Sequence, residues 1–475
     1  MSKKNSLTYR IEHDSMGQVN VPVGAYYGAQ TQRAIENFQI SGLKFHSNFI
    51  KAFSLIKLSA AKVNVDLKLL DKKKGKAIIQ ASKEILDGKM SDQFVLDIFQ
   101  TGSGTSTNMN VNEVISNRAI EILGGKKGNK KIVHPNDDVN MGQSTNDVFP
   151  TAINIAALSS IKKELIPSLK NLENSFKKKV FEFEDVVKAA RTHFQDAVPI
   201  TLGQEFSGYT SMITHGIKRI KNICSSLSEV PIGGTASGTG LNAHPKFSKL
   251  IITEINRLSE IKIRRADNTF EAMQSRDSNV EASSALKIVA VSLIKIANDL
   301  RILYSGPRTG LYEIELPAIQ PGSSIMPGKV NPVIPEAISM VAAKVIGNDL
   351  TISLAGQMGN LDLNTMMPVI AYCLLESITI MAKANRSLAK CVDGIKPNRE
   401  RCLLYAENTV GLITVLSPII GYDNAAKIAK KSMKTGKTIK ELVIKEKLLP
   451  KEKVGIILNL KKLTRGGIIS INNKY

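Results

Sequence analysis

The sequence predicts a mainly helical protein built around several long helices. Aromatic residues make up only 5% of the 475 residues and tryptophan is absent, a composition that favours helices over sheets. Apolar residues between Leu158 and Val180, and again between Leu286 and Leu303, recur at steps of three and four, which marks one face of a helix. Residues 335–354 and 368–388 are apolar around most of their circumference, which predicts helices buried on all sides.

Shorter elements flank this central region. Residues 48–66 and 73–87 have the pattern of helices, and Gly306-Pro307 ends the helix that contains Leu303. After residues 394–398 the pattern changes to shorter helices. The chain is too long for one simple domain. We predict a mostly helical N-terminal domain (1–142), a central long-helix bundle (143–396) and a small helical C-terminal domain (397–475).

The charge of the chain is strongly basic but evenly spread. The formal net charge is +22, and short lysine runs such as 72–74 and 177–179 are scattered along the sequence. Solvated helix faces explain this pattern better than a nucleic-acid surface, which would need a compact basic stripe or stacking aromatic residues. A general positive field would still attract a small dianion.

Cysteine usage and apolar runs indicate a cytoplasmic protein with reduced thiols. The four cysteines (Cys224, Cys373, Cys391 and Cys402) form no C-x-x-C pair and have no histidine at zinc spacing. The segment Met1–Asp14 is polar, so no secretory signal is expected. No apolar stretch of about 18 residues lacks charge, so no membrane span is expected.

Four regions interrupt the helical pattern with small and polar residues. They are residues 101–108, 134–138 with 143–147, 191–196 and 322–332. Their hydroxyls, amides and backbone N–H groups suit carboxylate binding. Glycine and proline at both ends of residues 322–332 predict a loop that closes over a ligand.

Each region also has a simpler interpretation. Residues 101–108 lack the Gly-Lys-Ser/Thr ending of a nucleotide-binding P-loop and could form only a turn or a helix cap. His193 taken alone is more often a satisfied buried histidine than a catalyst, and Lys329 could be one more surface lysine. The residues that could cap a helix are His134, Asn136 and Asp137.

One of these segments carries a resemblance to a known family. Residues 322–332 read GSSIMPGKVNP, which resembles the signature of the fumarase/aspartase superfamily. The resemblance covers essentially the whole chain, in the family's order. The matching segments are DSMGQVNVPVGAYYGAQTQRA from Asp14, TGSGTSTNMNVNEVISNRA from Thr101, HPNDDVN from His134, RTHFQDAVPITLGQEFSGY from Arg191 and GGTASGTGLNAHP from Gly233.

Two activities of this superfamily compete, fumarate hydratase and aspartate ammonia-lyase. The fumarase-like segments are residues 134–137, 233–235, 359–360, 396–401 and 421–423. The aspartase-like segments are residues 144–146, 333–336 and 25–28. The resemblance favours reversible hydration of fumarate to L-malate, a step of the tricarboxylic acid cycle. Elimination of ammonia from L-aspartate is the alternative, and a basic nucleic-acid-binding protein is a distant one.

The resemblance also implies which residues carry the chemistry. Removing a proton from the carbon next to a carboxylate needs a strong base and donors for the aci-carboxylate that forms. The implied base is Ser323 as an alkoxide, favoured by loop N–H groups and Lys329. His193 is the candidate for proton transfer at the oxygen. The implied substrate-binding residues are Ser103, Gly104, Thr105, Ser144, Thr145, Asn146, Thr192, Ser324, Lys329, Val330 and Asn331. The implied accessory dicarboxylate site is His134, Pro135, Asn136 and Asp137.

The expected partners follow from this assignment. The reaction is redox-neutral and the sequence offers no ligand cluster, so no metal or organic cofactor is expected. The resemblance implies a fumarase/aspartase-like three-domain fold whose central helix bundle forms the core of a homotetramer. Each active site would draw loops from three subunits. The ligands would be fumarate and L-malate, with no nucleic acid and no membrane.

Overall fold

The computed structural model describes residues 8–468 and confirms a mainly helical fold. The helices are α1 (Ala29–Asn37), α2 (Ser47–Asp66), α3 (Lys72–Leu86), α4 (Thr105–Ile122), α5 (Thr145–Ser160), α6 (Ile166–Glu182), α7 (Leu202–Asn222), α8 (Phe247–Leu258), α9 (Thr269–Gln274), α10 (Asp277–Tyr304), α11 (Val333–Gly356), α12 (Met367–Asp393), α13 (Arg399–Asn408), α14 (Ile413–Ile420), α15 (Tyr422–Thr435), α16 (Ile439–Lys445), α17 (Lys451–Ile457) and α18 (Leu460–Leu463).

The strands are short and pair two by two. They are β1 (Tyr9–Asp14), β2 (Gly17–Pro22), β3 (Val187–Thr192), β4 (Gln195–Thr201), β5 (Glu229–Val230), β6 (Arg264–Arg265), β7 (Ile314–Glu315), β8 (Gly359–Asn360), β9 (Leu363–Asn364) and β10 (Lys396–Pro397). The pairs β1–β2, β3–β4, β8–β9 and β7–β10 are antiparallel, and β5–β6 is parallel. The β3–β4 hairpin matters most here, because its turn carries His193.

The periodic segments form the predicted helices. The apolar face predicted between Leu286 and Leu303 lies in α10, where Leu293 and Leu300 are buried. The face predicted from Leu158 runs through α5 and α6, which are joined by a π-helical turn at Ile161–Leu165. The apolar spacing did not predict that turn. Residues 48–66 and 73–87 correspond to α2 and α3, and the C-terminal helices are short, as predicted.

The helices α11 and α12 occur where predicted, but within one chain α11 is not buried on all sides. Its Met340, Leu350 and Leu354 side chains are 67%, 62% and 52% exposed. Apolar composition therefore predicted burial that this chain alone does not provide. From the sequence we expect no membrane span, yet by length and composition α11 and α12 are both long and apolar enough to cross a membrane.

The chain forms two compact units. The first contains the described residues up to Pro167, Gly216–Ala290 and Ala342–Ala382. In this unit α2 packs against α3, α5 and α8, and the Phe49 and Phe149 rings meet with centroids 5.1 Å apart. The three predicted domains, 1–142, 143–396 and 397–475, stay a prediction.

The second unit contains Ser168–His215, Val291–Val341 and the described residues from Lys383 onward. Its C-terminal helices pack around Leu416, Ile428 and Leu442, while α13 packs against β3. The β3–β4 hairpin is therefore packed against helix α13.

The cysteines are free thiols in the described part of the chain, as predicted. Cys373, Cys391 and Cys402 are buried and Cys224 is half-buried. The expectation of no secretory signal concerns Met1–Asp14. Strand β1 covers its last six residues, and the first seven lie outside the described residues.

Candidate active site

The predicted loop at residues 322–332 is closed at its base by hydrogen bonds. The Gly322 N–H donates to the Lys329 carbonyl at 3.0 Å, and the Asn331 side-chain amide donates to the Gly322 carbonyl. A Cβ at position 322 would lie 2.3 Å from the Lys329 carbonyl oxygen, so only glycine fits there. These contacts bring Lys329 and Asn331 back beside the residue that precedes Ser323.

Ser323 is the loop residue that the resemblance implies as the base. Its Oγ accepts hydrogen bonds from two backbone amides, Ile325 N–H at 3.2 Å and Met326 N–H at 2.9 Å. Hydrogen bonds donated to an oxygen favour its negatively charged form. The loop thus supplies the amide donors that the sequence predicted for a basic serine. Ser323 is half-buried, and Ser324 and Lys329 are exposed.

His193 lies in a strained turn. Thr192 pairs with Gln195 across the β3–β4 hairpin, so His193 and Phe194 are its two turn residues. Both have positive φ, +55° and +58°. Two-residue turns of this kind strongly prefer asparagine and glycine, because other side chains are strained there. Strained residues of this kind cluster at functional sites, which supports the prediction that His193 takes part in the chemistry.

The β3–β4 hairpin and the loop at residues 322–332 line two neighbouring cavities in the second unit. One, of about 280 Å³, is lined in part by His193 and Phe194. The other, of about 750 Å³, is lined in part by Phe194, Lys329, Val330 and Asn331. Thr192 is exposed beside them. Ser323 and Ser324 line neither cavity.

In the first unit, two predicted segments meet at helix N-termini. Gly104, with φ +81°, precedes α4, and the Ser103 and Thr105 hydroxyls lie 2.9 Å apart. The Asn108 side-chain amide donates to Thr145 Oγ1 at 3.0 Å, which links the start of α4 to the start of α5. Helix N-termini attract carboxylates through their free N–H groups.

The segment at residues 144–146 is itself well ordered by hydrogen bonds. Ser144 caps α5 in a reciprocal capping box with Asp147. The Asn146 side-chain amide donates to the Ala236 carbonyl at 2.8 Å, and Thr145 is buried. The structure therefore brings together residues 103–105 and 144–146, and holds the second group rigidly.

Beneath this segment lies a lysine that sequence reasoning missed. The Lys57 ammonium is fully buried and donates to Asn140 Oδ1 at 2.8 Å and Gln143 Oε1 at 3.0 Å. Burial lowers the pKa of Lys57 to about 7, against the attraction of the Asp147 carboxylate. The only signal in the sequence was a lysine inside the apolar run from Phe53 to Ala61.

Asp147 is the buried acidic counterpart of this lysine. One carboxylate oxygen accepts the Ser144 N–H at 2.9 Å. The other accepts the Gly233 and Thr235 N–H groups at 2.9 and 3.0 Å. Burial raises the pKa of Asp147 to about 6, although these hydrogen bonds oppose the shift. Lys57 and Asp147 together support the segment from Asn140 to Thr145.

The depressed pKa of Lys57 predicts a measurable pH dependence of stability. Between pH 7 and about 10 an unfolded lysine keeps its proton while the folded one releases it. The unfolded state then binds more protons, so stability rises with pH, by up to roughly 1 kcal/mol per pH unit. Lys57→Met should lack this rise when urea unfolding is followed from pH 7 to 9.

Lys62→Met is the matched control for this prediction. Lys62 lies on the same helix, but it is partly exposed and pairs with Glu254 at 2.9 Å. The Lys62→Met variant should therefore keep the rise of stability between pH 7 and 9. Identical pH profiles for wild type and Lys57→Met would contradict the assignment.

At residues 134–137 the structure shows a helix cap. His134 Nδ1 accepts the N–H groups of Asn136 and Asp137, both at 3.2 Å, and so caps the π-helical turn Pro135–Val139. Pro135 is buried, and Asn136 and Asp137 are exposed. The simpler interpretation of His134 is confirmed, while dicarboxylate binding at this place stays a prediction.

Comparison with known proteins decides the family. A family profile described as "Lyase" matches residues 17–347, and one described as "Fumarase C C-terminus" matches residues 412–465. The chain belongs to the fumarase/aspartase family. The resemblance drawn from the sequence is thereby confirmed, and the family assignment makes this chain a lyase.

Relatives of this lyase divide between two activities. This chain is 48% identical over 460 residues to an aspartate ammonia-lyase from a Bacillus species, and the match covers 97% of this chain and 98% of that one. It is 49% identical to the class II fumarate hydratase of Nitrosomonas europaea, covering 96% and 99%. The crystal structure of class II fumarase from Schistosoma mansoni superposes with a TM-score of 0.93 at 38% identity, covering 96% and 99%.

Family membership gives this lyase dicarboxylate substrates. The structure groups the predicted site residues into two sets, one in each compact unit. The roles of the individual residues stay predictions.

Proposed function

We propose that this lyase catalyses the reversible hydration of fumarate to L-malate. The observation that carries the proposal is Ser323, whose Oγ accepts two backbone amides in a glycine-bounded loop. The two donated hydrogen bonds favour the alkoxide form of Ser323, which can take a proton from carbon. Relatives named class II fumarate hydratase, at 49–51% identity, support the same activity.

In the direction of malate dehydration, Ser323 as an alkoxide takes the proton from C3. The two electrons of that C–H bond enter the neighbouring carboxylate and form an aci-carboxylate dianion. Lys329 and Asn331, which the loop holds beside Gly322, stabilise the added charge by donating charge-assisted hydrogen bonds. Ser324 adds a further hydrogen bond.

Collapse of the dianion then expels the C2 hydroxyl. His193 donates a proton to this oxygen so that water leaves, and in hydration it takes that proton back from water. Thr192 beside it holds the substrate. Ser103, Thr105, Thr145 and Asn146 bind the other carboxylate at the start of α4 and α5, where helix N-termini favour an anion.

We further propose that the enzyme is a homotetramer whose active sites combine loops of three subunits. The support is α11, which exposes Met340, Leu350 and Leu354 in the single chain. Exposed apolar faces of this kind mark protein contacts. Light scattering should give a molar mass of four chains of 51.7 kDa, and a monomeric mass would refute the assembly.

Aspartate ammonia-lyase is the second candidate, and two observations favour it. Residues 25–28, 144–146 and 333–336 have the aspartase form, and two aspartate ammonia-lyases are among its relatives at 48% identity. The carbon acid chemistry is the same in both reactions, since the proton leaves C3 in each. Only the group on C2 differs, an amine instead of a hydroxyl.

A paired assay separates the two activities. The purified protein is incubated with fumarate and water, and separately with L-aspartate, while the ultraviolet absorbance of fumarate is recorded. We expect the absorbance to fall in the first sample and to stay flat in the second. A rise with L-aspartate and no change with fumarate would replace the proposal by the ammonia-lyase.

A further inference from the structure

Behind the His193 turn lies a buried cluster of charges that the proposed mechanism does not use. The Glu313 carboxylate is 0% exposed. One oxygen accepts from Arg191 at 3.0 Å and the other faces the Lys188 ammonium at 3.0 Å. Lys188 also pairs with Glu205. Both cations belong to β3, the strand that ends at Thr192, directly before His193.

The two cations would point apart in a regular strand. Residues three positions apart lie on opposite faces of a sheet, yet Lys188 and Arg191 reach the same carboxylate. The pairing of β3 with β4 shifts register between Ala189 and Arg191. Irregularities of this kind redirect side chains and are common beside active sites. Glu313 thus holds β3 at two points, and one of them is two residues from His193.

Glu313 is itself anchored by its backbone. Its N–H donates to the Leu303 carbonyl at 2.8 Å, and its carbonyl accepts the Asn398 N–H at 2.9 Å. The Arg191 guanidinium also lies over the Tyr405 ring, 5.1 Å from its centroid. The carboxylate is therefore a fixed point, and the strand is held against it.

The strained turn needs such a fixed point. With φ of +55° and +58°, His193 and Phe194 persist only where the surrounding structure holds them. Buried ion pairs contribute little net stability but can specify one arrangement, because a displaced partner leaves an unpaired buried charge. Lys188 and Glu313 form such a pair, since both are buried and their charged atoms lie 3.0 Å apart. Displacing one of them would leave the other as an unpaired buried charge.

We infer that Glu313 is a positioning residue for His193. By binding Lys188 and Arg191, it sets the place of the β3–β4 turn and so the direction from which the imidazole meets the substrate oxygen. The inference rests on the proposed function for its catalytic consequence. Its structural part, the anchoring of the hairpin, stands apart from which reaction the lyase performs.

The test compares Glu313→Gln with Glu205→Gln. Each variant removes one carboxylate partner of Lys188, but only the first releases Arg191. For Glu313→Gln we expect kcat to fall by about tenfold or more with KM changed less than about threefold. Glu205→Gln should keep kcat within about threefold. Equal losses in the two variants would overturn the inference, because they would indicate general destabilisation.

A double mutant separates positioning from a merely structural role. If Glu313 acts through His193, adding Glu313→Gln to His193→Asn should lower kcat by less than about twofold further. Multiplying losses would refute the inference. Should Glu313→Gln fail to fold, Arg191→Lys takes its place in both comparisons, because it keeps the charge and loses the planar guanidinium contact.

Hydrogen exchange of the hairpin amides tests the anchoring without any substrate. Residues 187–201 should exchange at least about tenfold faster in Glu313→Gln, or in Arg191→Lys, than in Glu205→Gln. Unchanged exchange would refute the anchoring. If the wild type turns over neither malate nor L-aspartate, the proposed function fails, while exchange still decides whether Glu313 holds the turn.

Discussion

Replacing Ser323 by alanine should lower kcat by about a thousandfold with malate or fumarate as substrate. The reason is that Ser323 is the proposed base for the C3 proton, and a positioned base contributes two to four orders of magnitude. KM should change much less, because Lys329 and Asn331 keep their places through the contacts at Gly322. Steady-state kinetics measured in both directions provide the values.

The structure predicts that this variant folds normally. Ser323 Oγ accepts only the amides of Ile325 and Met326, whose residues are 83% and 51% exposed, so water can replace it. Ser324→Ala is the matched control, with a predicted loss of no more than about tenfold for one hydrogen bond to the substrate. Near-normal turnover by Ser323→Ala, or equal losses in the two variants, would remove Ser323 as the base.

Replacing His193 by asparagine should lower kcat by about a hundredfold or more without lowering stability. The activity falls because asparagine cannot exchange a proton with the substrate oxygen near neutral pH. Stability should hold or rise slightly, because asparagine adopts the φ of +55° at this turn more readily than histidine. Kinetics and thermal melting of the same preparation measure the two effects.

A loss of activity without a loss of stability identifies a functional residue. A histidine that served the fold would lower the melting temperature when it is replaced. His215→Asn is the matched control, since His215 is exposed on α7, and it should keep turnover within about twofold. A His193→Asn variant with normal turnover, or one that melts well below the wild type, would contradict the assignment.

Several helices could be predicted from the sequence because their signal is local. The spacing from Leu286 to Leu303 needs only the 3.6-residue repeat of a helix, and α10 contains that whole face. The candidate site could be found because residues 322–332 match a family signature. Neither inference required knowledge of which parts of the chain meet.

Composition misled about how much of α11 is buried within this chain. The sequence of α11 predicts a helix buried on all sides, yet Met340 and Leu350 are exposed in the structure of one chain. An apolar pattern predicts that a helix surface tends to be buried, but it does not predict what covers that surface.

The amino-acid sequence alone determined the helical class, the positions of several long helices and the polar segments that carry the predicted chemistry, because each depends on neighbouring residues. Only the tertiary structure decided that Lys57 is buried beneath the segment at residues 140–145. It alone showed that Lys188 and Arg191 converge on Glu313, and that His193 lies in a strained turn. These features arise from contacts between residues far apart in the chain or from backbone angles, and no local pattern encodes them.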